Sequence, residues 1–323
     1  MILITGINGF VGSHIARLLV KNGQSVRGLI RKTGKEANLA DIKSKIELIE
    51  GDIRDIRALR RAFEGVDICY HAAALVKVGR FTAEEYFSTN LQGTMGVCEE
   101  AINAGVKRFI YTSTCETLRR HPSPIPSPPR GEGDSNAYHD MVGGYGRSKF
   151  LAEEHVRARA SSGLPAVIVN PTAVMGPGDI NITAPGYLIL QYLKGRIPAW
   201  FETGFNIVDV RDVAAGHCLA AEKGRIGERY SLGNHNVQLT KLFKLLKEVS
   251  GRRPLSIRLP YRLILAASYL VGSATVSVER VRSSRHPFFI SSSKAATELG
   301  WRPDFDLQTT LKDAWNWYRS STV

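Results

Sequence analysis

Cysteine is scarce. Four residues, Cys69, Cys98, Cys115 and Cys218, are scattered over 323 positions with no C-x-x-C pair, which excludes a disulfide framework and a thiolate zinc site. No apolar run is long enough for a membrane-spanning helix of about 20 residues. The most apolar region, Leu263 to Val276, is interrupted by Ser268, Gly272 and Ser273 and reads as a core or surface-seeking helix. Acidic side chains are the minority, 30 against 43 Lys and Arg, for a net charge of +13. The basic residues are dispersed in short pairs such as Arg31-Lys32 and Arg252-Arg253. No nucleic-acid motif accompanies them, so the surplus points to phosphate-bearing small molecules or an anionic membrane face, and away from nucleic acid. Met1 runs directly into an apolar strand, so no secretory leader is expected and the reading is cytoplasmic.

What is present is alternation. Short apolar runs (M-I-L-I-T, S-V-R-G-L-I-R, I-E-L-I-E-G-D, V-D-I-C-Y-H, K-R-F-I-Y-T-S-T, L-P-A-V-I-V-N-P) are separated by amphipathic segments, one of them a long helix over about 82–104. This is the pattern of an α/β fold, a doubly wound parallel sheet of six strands. Residues 1–170 form its nucleotide-binding domain. After Pro171 the rhythm loosens into separate helices (about 184–194, 211–223, 239–250, 276–285 and 293–299), expected to form a smaller substrate-binding domain over 171–323, some of whose segments can return to the sheet. The Pro-rich stretch 121–136 fits neither helix nor strand and reads as a surface insertion or a lid.

Two motifs carry chemistry. Gly6, Gly9 and Gly12 follow the first strand and open a helix, as a dinucleotide site requires: a tight turn, a close backbone approach to pyrophosphate, and helix–strand packing. The second strand ends in Ile30-Arg31-Lys32 with no acid before Glu36. Arg31 there suits a 2′-phosphate, and NADP is expected over NAD. Asp52 follows the third strand and is placed for the adenine amino group. The second motif is Tyr145 with Lys149 in G-Y-G-R-S-K. Four residues apart on a helix, their Cβ atoms are about 5–6 Å apart, and an ammonium there would lower a phenol pKa ordinarily about 10.

Taken in order, these residues resemble the extended short-chain dehydrogenase/reductases of the NAD-dependent epimerase/dehydratase group. The resemblance runs through G-I-N-G-F-V-G (6–12), G-D-I-R-D (51–55), H-A-A-A (71–74), N-L-Q-G-T (90–94), Y-T-S-T (111–114), Y-G-R-S-K (145–149), N-P-T-A-V-M-G-P (170–177) and the C-terminal S-S-S-K-A-A-T-E-L-G-W-R-P. It implies Tyr145 as general acid/base, Lys149 as its partner and ribose ligand, and Thr114 on the same substrate oxygen. It implies a cofactor site built from Gly6, Gly9, Phe10, Val11, Gly12, Arg31, Asp52, Ile53, Ala72, Ala73, Ala74, Asn90, Tyr145, Lys149 and Pro171, with Asn170 as a sugar contact. Strand alternation turns Ser113 away from the site.

The dehydratases of the group carry Thr-Asp-Glu where this chain has Thr114-Cys115-Glu116. Without the acid, dehydration is disfavoured and Glu116 reads as structural. V-I-V-N-P-T-A-V-M-G-P-G-D and T-G-F-N-I-V-D-V-R-D-V-A-A-G-H are most similar to hopanoid-associated sugar epimerases. The dihydroflavonol-reductase-like ketone reductases, which share the Arg after strand 2, are the alternative, and a nucleotide-binding sensor without turnover is a third reading. The expected partner is a small, sugar-bearing molecule, with no nucleic acid. The resemblance leaves room for a homodimer and for peripheral contact with a membrane.

Overall fold

The computed structural model describes residues 1–34, 36–76, 81–118, 141–271 and 278–320. The Pro-rich stretch 121–136 lies outside them.

The alternation builds a seven-stranded parallel sheet. Its strands are β1 (Ile2–Thr5), β2 (Val26–Ile30), β3 (Ile46–Glu50), β4 (Ile68–His71), β5 (Arg108–Thr112), β6 (Ala166–Pro171) and β10 (Arg229–Leu232), in the order β10-β6-β5-β4-β1-β2-β3. The sixth strand expected from sequence is therefore not the last. R-Y-S-L is too short to stand out, but it pairs along β6, Tyr230 opposite Val169.

Central strands are buried on both faces, which is why they read as continuous apolar runs. Successive residues supply opposite layers. Ile2, Ile4, Ile110, Val167 and Val169 pack with Ile15 and Leu19 of α1 (Phe10–Lys21). Leu3, Phe109, Tyr111 and Ile168 pack on the other side with Leu59 and Phe63 of α2 (Ile56–Phe63).

The long helix expected over 82–104 is three pieces: α3 (Ala83–Tyr86), a wider π-type stretch (Phe87–Gln92) and α4 (Gly93–Asn103). It begins at a capping box in which Glu85 N–H donates to Thr82 Oγ1 at 3.2 Å and Thr82 N–H to Glu85 Oε2 at 2.7 Å. Then come α5 (Gly143–Ser161), the short strand β7 (Ala173–Met175) and α6 (Ala184–Leu193).

Beyond these lie β8 (Ala199–Trp200), β9 (Gly204–Asp209), α7 (Val210–Lys223), β11 (His235–Gln238), α8 (Leu239–Ser250), β12 (Ile257–Arg258), α9 (Tyr261–Val271), α10 (Val278–Ser283) and α11 (Leu307–Ser320). β11, β9 and β7 form a second sheet, and β12 pairs with β8. A separate core beneath them contains Ile189, Ile207, Leu246, Leu311 and Trp315, with the Tyr192 and Phe243 rings stacked at 3.8 Å.

Strand order reverses between β1 and β4. In such sheets a ligand sits outside the carboxyl ends of the strands at that reversal, and Thr5, His71, Thr112 and Pro171 all end there. Among the described residues no helix is long and apolar enough to cross a membrane, and no cluster of three or more metal-ligating side chains occurs.

Candidate active site

A cavity of about 450 Å³ opens at this edge. Its floor is the turn from β1 to α1. Gly6 has φ +70°, and a Cβ there would lie 2.7 Å from the Ala73 backbone, so the turn and the chain after β4 approach as only glycine permits. A Cβ at Gly12 would lie 2.2 Å from the Gly6 carbonyl, which is the close helix–strand packing the spacing suggested. α1 starts at Gly9 with no side-chain cap and no acid in its first turn. Its N-terminal amides are thus left for an anion.

Gly9, Phe10, Val11, Gly12, Ala72, Ala74, Thr114, Tyr145, Lys149 and Pro171 all line the cavity. Ala73 packs against the glycine turn, its N–H donating to Thr5 Oγ1 at 3.3 Å. Ile53 is buried, in the core with Leu59 and Val97. Arg31 is exposed at the end of β2, close enough to Asp52 to help hold that carboxyl below its ordinary value. Burial alone would raise Asp52; hydrogen bonds from Arg54 outweigh it, and Arg31 adds to them. Asp52 is bidentate with Arg54, at 2.8 and 3.0 Å.

Two expected site residues, Asn90 and Asn170, do not line the cavity. Asn90 lies in the π stretch, fully buried. Its amide donates to Leu75 O (3.1 Å) and Ser148 Oγ (3.0 Å) and accepts from Leu75 N–H (2.7 Å), so it ties the chain after β4 to α5. Asn170 is buried beneath the Thr114 turn and does not line the cavity. It donates to the Thr114 carbonyl (3.1 Å), Thr117 Oγ1 (3.0 Å) and Glu153 Oε2 (2.8 Å). A sugar could not reach it there; it shapes the loop that presents Thr114.

The anchor of that loop is Glu153, which the sequence did not mark. It is 1% exposed and sits four residues beyond Lys149 on the buried stripe of α5. Oε2 accepts from Ser113, Thr117 (2.8 Å) and Asn170, and Oε1 from Arg229 of β10 at 3.1 Å. The Ser113 hydroxyl thus turns toward Glu153, although the residue still lines the cavity. Thr112, one residue earlier, is held from behind. His217 Nδ1 lies 2.8 Å from the Val213 carbonyl and must carry the proton, leaving Nε2 to accept from the Thr112 hydroxyl at 2.9 Å. Burial lowers His217 to about 4, so this tautomer is neutral.

Tyr145 and Lys149 face the same cavity from α5, but the ammonium is not aimed at the phenol. Lys149 Nζ donates to the Thr112 carbonyl at 2.8 Å and sits 4.2 Å from the centre of the Tyr111 ring. Burial pushes it down to about 7, and the Glu153 carboxylate pulls it back. Tyr145 is controlled by other groups. Burial pushes the phenol above its ordinary value, Glu116 pushes it further, and the hydrogen bond with Thr114 pulls it back. The lowered phenol pKa expected from i, i+4 spacing is therefore not what the site shows, because spacing says nothing about burial. Glu116, read from sequence as structural, lines the cavity beside the tyrosine.

The depressed lysine pKa makes a prediction. From pH 7 to 9.5 the unfolded chain keeps the Lys149 proton and the folded chain sheds it. The penalty for burying the charge is thus full below about 7 and fades as pH rises. Wild type should gain on Lys149→Met by about 1.4 kcal/mol per pH unit across that window, measured by urea unfolding. A difference independent of pH would mean that the lysine stays charged in the fold.

The model of the NAD dependent epimerase/dehydratase family matches residues 2–233. The chain belongs to this family. Across its length it is similar to a putative dihydroflavonol 4-reductase of Synechocystis sp., 32% identical over 98% of this chain and 94% of that one. It is also similar to sterol demethylase protein B of Methylococcus capsulatus, 31% identical over 98% of both. Among solved structures it resembles a nucleoside-diphosphate-sugar epimerase from Pseudomonas aeruginosa, with a TM-score of 0.81 and 26% identity over 98% of this chain and 97% of that one. As a member of the NAD-dependent epimerase/dehydratase family, the chain is an oxidoreductase-type enzyme that uses a nicotinamide dinucleotide. The glycine cradle and the uncapped α1 fit that group.

Proposed function

We propose that the protein is an NADP(H)-dependent oxidoreductase acting on the ketone or secondary alcohol of an uncharged, largely apolar molecule, and that it works in the reductive direction. The observation that carries this reading is the far wall of the cavity. Leu188, Phe205, Phe288 and Ile290 supply apolar surface, and Asn206 and Ser284 add no charge. Among the described lining residues the sole cation is Lys149, at the nucleotide end, against the two carboxylates Glu116 and Asp179. Asp179 accepts from the N–H and hydroxyl of Thr183, both at 2.8 Å, at the start of α6. A carboxylate therefore already occupies the helix end that a sugar nucleotide's diphosphate would seek.

In this reading residues 1–170 hold the nucleotide and 171–323 the substrate. The amides opening α1 take the pyrophosphate, Arg31 takes a 2′-phosphate, and Lys149 reaches the nicotinamide ribose. A nicotinamide held there would supply the hydride for the substrate carbon. Tyr145, kept protonated at neutral pH by burial and by Glu116, gives its proton to the carbonyl oxygen as the hydride arrives, and Thr114 donates a hydrogen bond to the same oxygen. The protonated phenol is the form from which carbonyl reduction starts, and reduction is the direction proposed.

The likeness to a protein named sterol demethylase protein B supports a polycyclic lipid, in keeping with the hopanoid-linked expectation. The likeness to the P. aeruginosa epimerase favours the second reading, a sugar epimerase. The test is NADPH consumption with a panel of sterol-like and flavanone-like ketones beside nucleotide sugars. Turnover of the apolar ketones, slower with NADH by about tenfold or more (the worth of a charge-assisted phosphate contact), is the expected result. Conversion of nucleotide sugars alone, without NADPH consumption, would overturn the proposal.

A further inference from the structure

We propose that α9 and the strand before it form a docking surface for an anionic lipid bilayer, beside the mouth of the cavity. The inference deepens the reading of an apolar substrate and rests on it.

α9 is apolar on its outward side. Tyr261 faces in, its ring 5.3 Å from that of Phe201, and Ser268 is buried. Leu263, Ala266, Ala267 and Leu270, at i, i+3, i+4 and i+7, make one exposed stripe, with Leu263 56% and Leu270 88% exposed. The chain leading into α9 continues the theme: Leu255 is 92% and Ile257 65% exposed, two residues apart on one side of an extended segment. A lone exposed leucine means little, but a run of this kind marks an interaction surface.

The charge around it selects the partner. Residues 251–290 contain seven arginines and a single acid, Glu279, nearly half the net charge of the chain. Arg253, two residues before Leu255, and Arg262, next to Leu263 in the chain, are exposed. Arg282 donates to the Tyr269 hydroxyl at 2.5 Å, and Arg285 lies 5.5 Å from the Tyr261 ring centre. Both therefore lie beside α9. An apolar helical stripe bordered by arginine is the composition of an interfacial helix, which sinks its apolar side to the acyl boundary and leaves its cations among anionic headgroups.

Position ties this surface to the reaction. α10 packs on α9, and the chain leaving α10 contributes Ser284, Phe288 and Ile290 to the cavity wall. A substrate dissolved in the bilayer would thus enter along the element that touches it.

The test is co-sedimentation of the full chain with vesicles of phosphatidylcholine alone and of phosphatidylcholine mixed with phosphatidylglycerol. Wild type should bind the mixed vesicles, should release them as salt is raised, and should bind the neutral ones poorly. Leu263→Glu with Leu270→Glu should weaken binding by more than about tenfold, as should Arg253→Glu with Arg262→Glu. Retained NADPH binding shows that each variant is folded; should the leucine pair fail to fold, the arginine pair decides. Failure of wild type to bind mixed vesicles would overturn the proposal. So would a wild-type dimer by light scattering that the leucine pair converts to monomer, since a second copy would then cover the face. Neither readout involves turnover, so failure here leaves the ketone reading standing, and a failed substrate panel leaves the vesicle result standing.

Discussion

Tyr145→Phe removes one oxygen, and turnover should fall by about a hundredfold to ten-thousandfold, the usual worth of a positioned proton donor. The aromatic ring keeps its place, because Tyr86 meets it edge-on with centroids 6.1 Å apart. Nucleotide affinity should be unchanged. Single-turnover kinetics under saturating nucleotide separate the two effects. A variant with near-normal turnover would transfer the proton from elsewhere, with Glu116 the first group to examine.

Glu153→Ala should be the most destabilising change in the site. It leaves Arg229 without its partner and strands the Ser113 hydroxyl, while Thr117 and Asn170 fall back on the Thr114 carbonyl. Arg229 keeps contact with water, so the cost is mainly the unsatisfied buried hydroxyl and the loosened network, about 2–4 kcal/mol, and the melting temperature should drop by roughly 3–6 °C. Glu153→Gln keeps the shape and one acceptor oxygen and should lose less. Because the network fixes the turn that presents Thr114, the glutamine variant should also show lower kcat with little change in the nucleotide Kd. Alanine-variant stability within about 1 kcal/mol of wild type would mean that the cluster is hydrated, contrary to this account.

Much of the fold is legible in the sequence because parallel strands are buried on both faces and announce themselves as apolar runs. β1, β5 and β6 could hardly be read otherwise. β10 escapes for the opposite reason: four residues with an arginine at one end carry no pattern, and only pairing with β6 makes them a strand. The π stretch around Asn90 is invisible to a reading based on the α-helical period.

In the site, Gly6, Gly12, Tyr145 and Lys149 are legible because each sits inside a local motif whose spacing has a physical reason. Glu153 and His217 are not. The residues that Glu153 gathers lie 17 to 76 positions away and Thr112 lies 105 from His217, and nothing near either residue signals these contacts. The motif around Asn170 points to the substrate; burial at the end of β6 gives it to the Thr114 turn instead. The same limit explains the phenol. The four-residue spacing puts Lys149 on the right side of α5, but which carbonyl it finds, and how dry the pocket is, are tertiary properties.

The most direct test of the central claim follows deuterium from the nicotinamide. With NADPH labelled at C4 and a ketone substrate from the panel, a reductase transfers one deuterium to product carbon for each NADP⁺ released, and mass spectrometry of the product reads this directly. The account predicts that one-to-one transfer, lost in Tyr145→Phe. Product that changes configuration with no net loss of NADPH, its hydrogen taken from the substrate and returned, would contradict it and make the protein an epimerase.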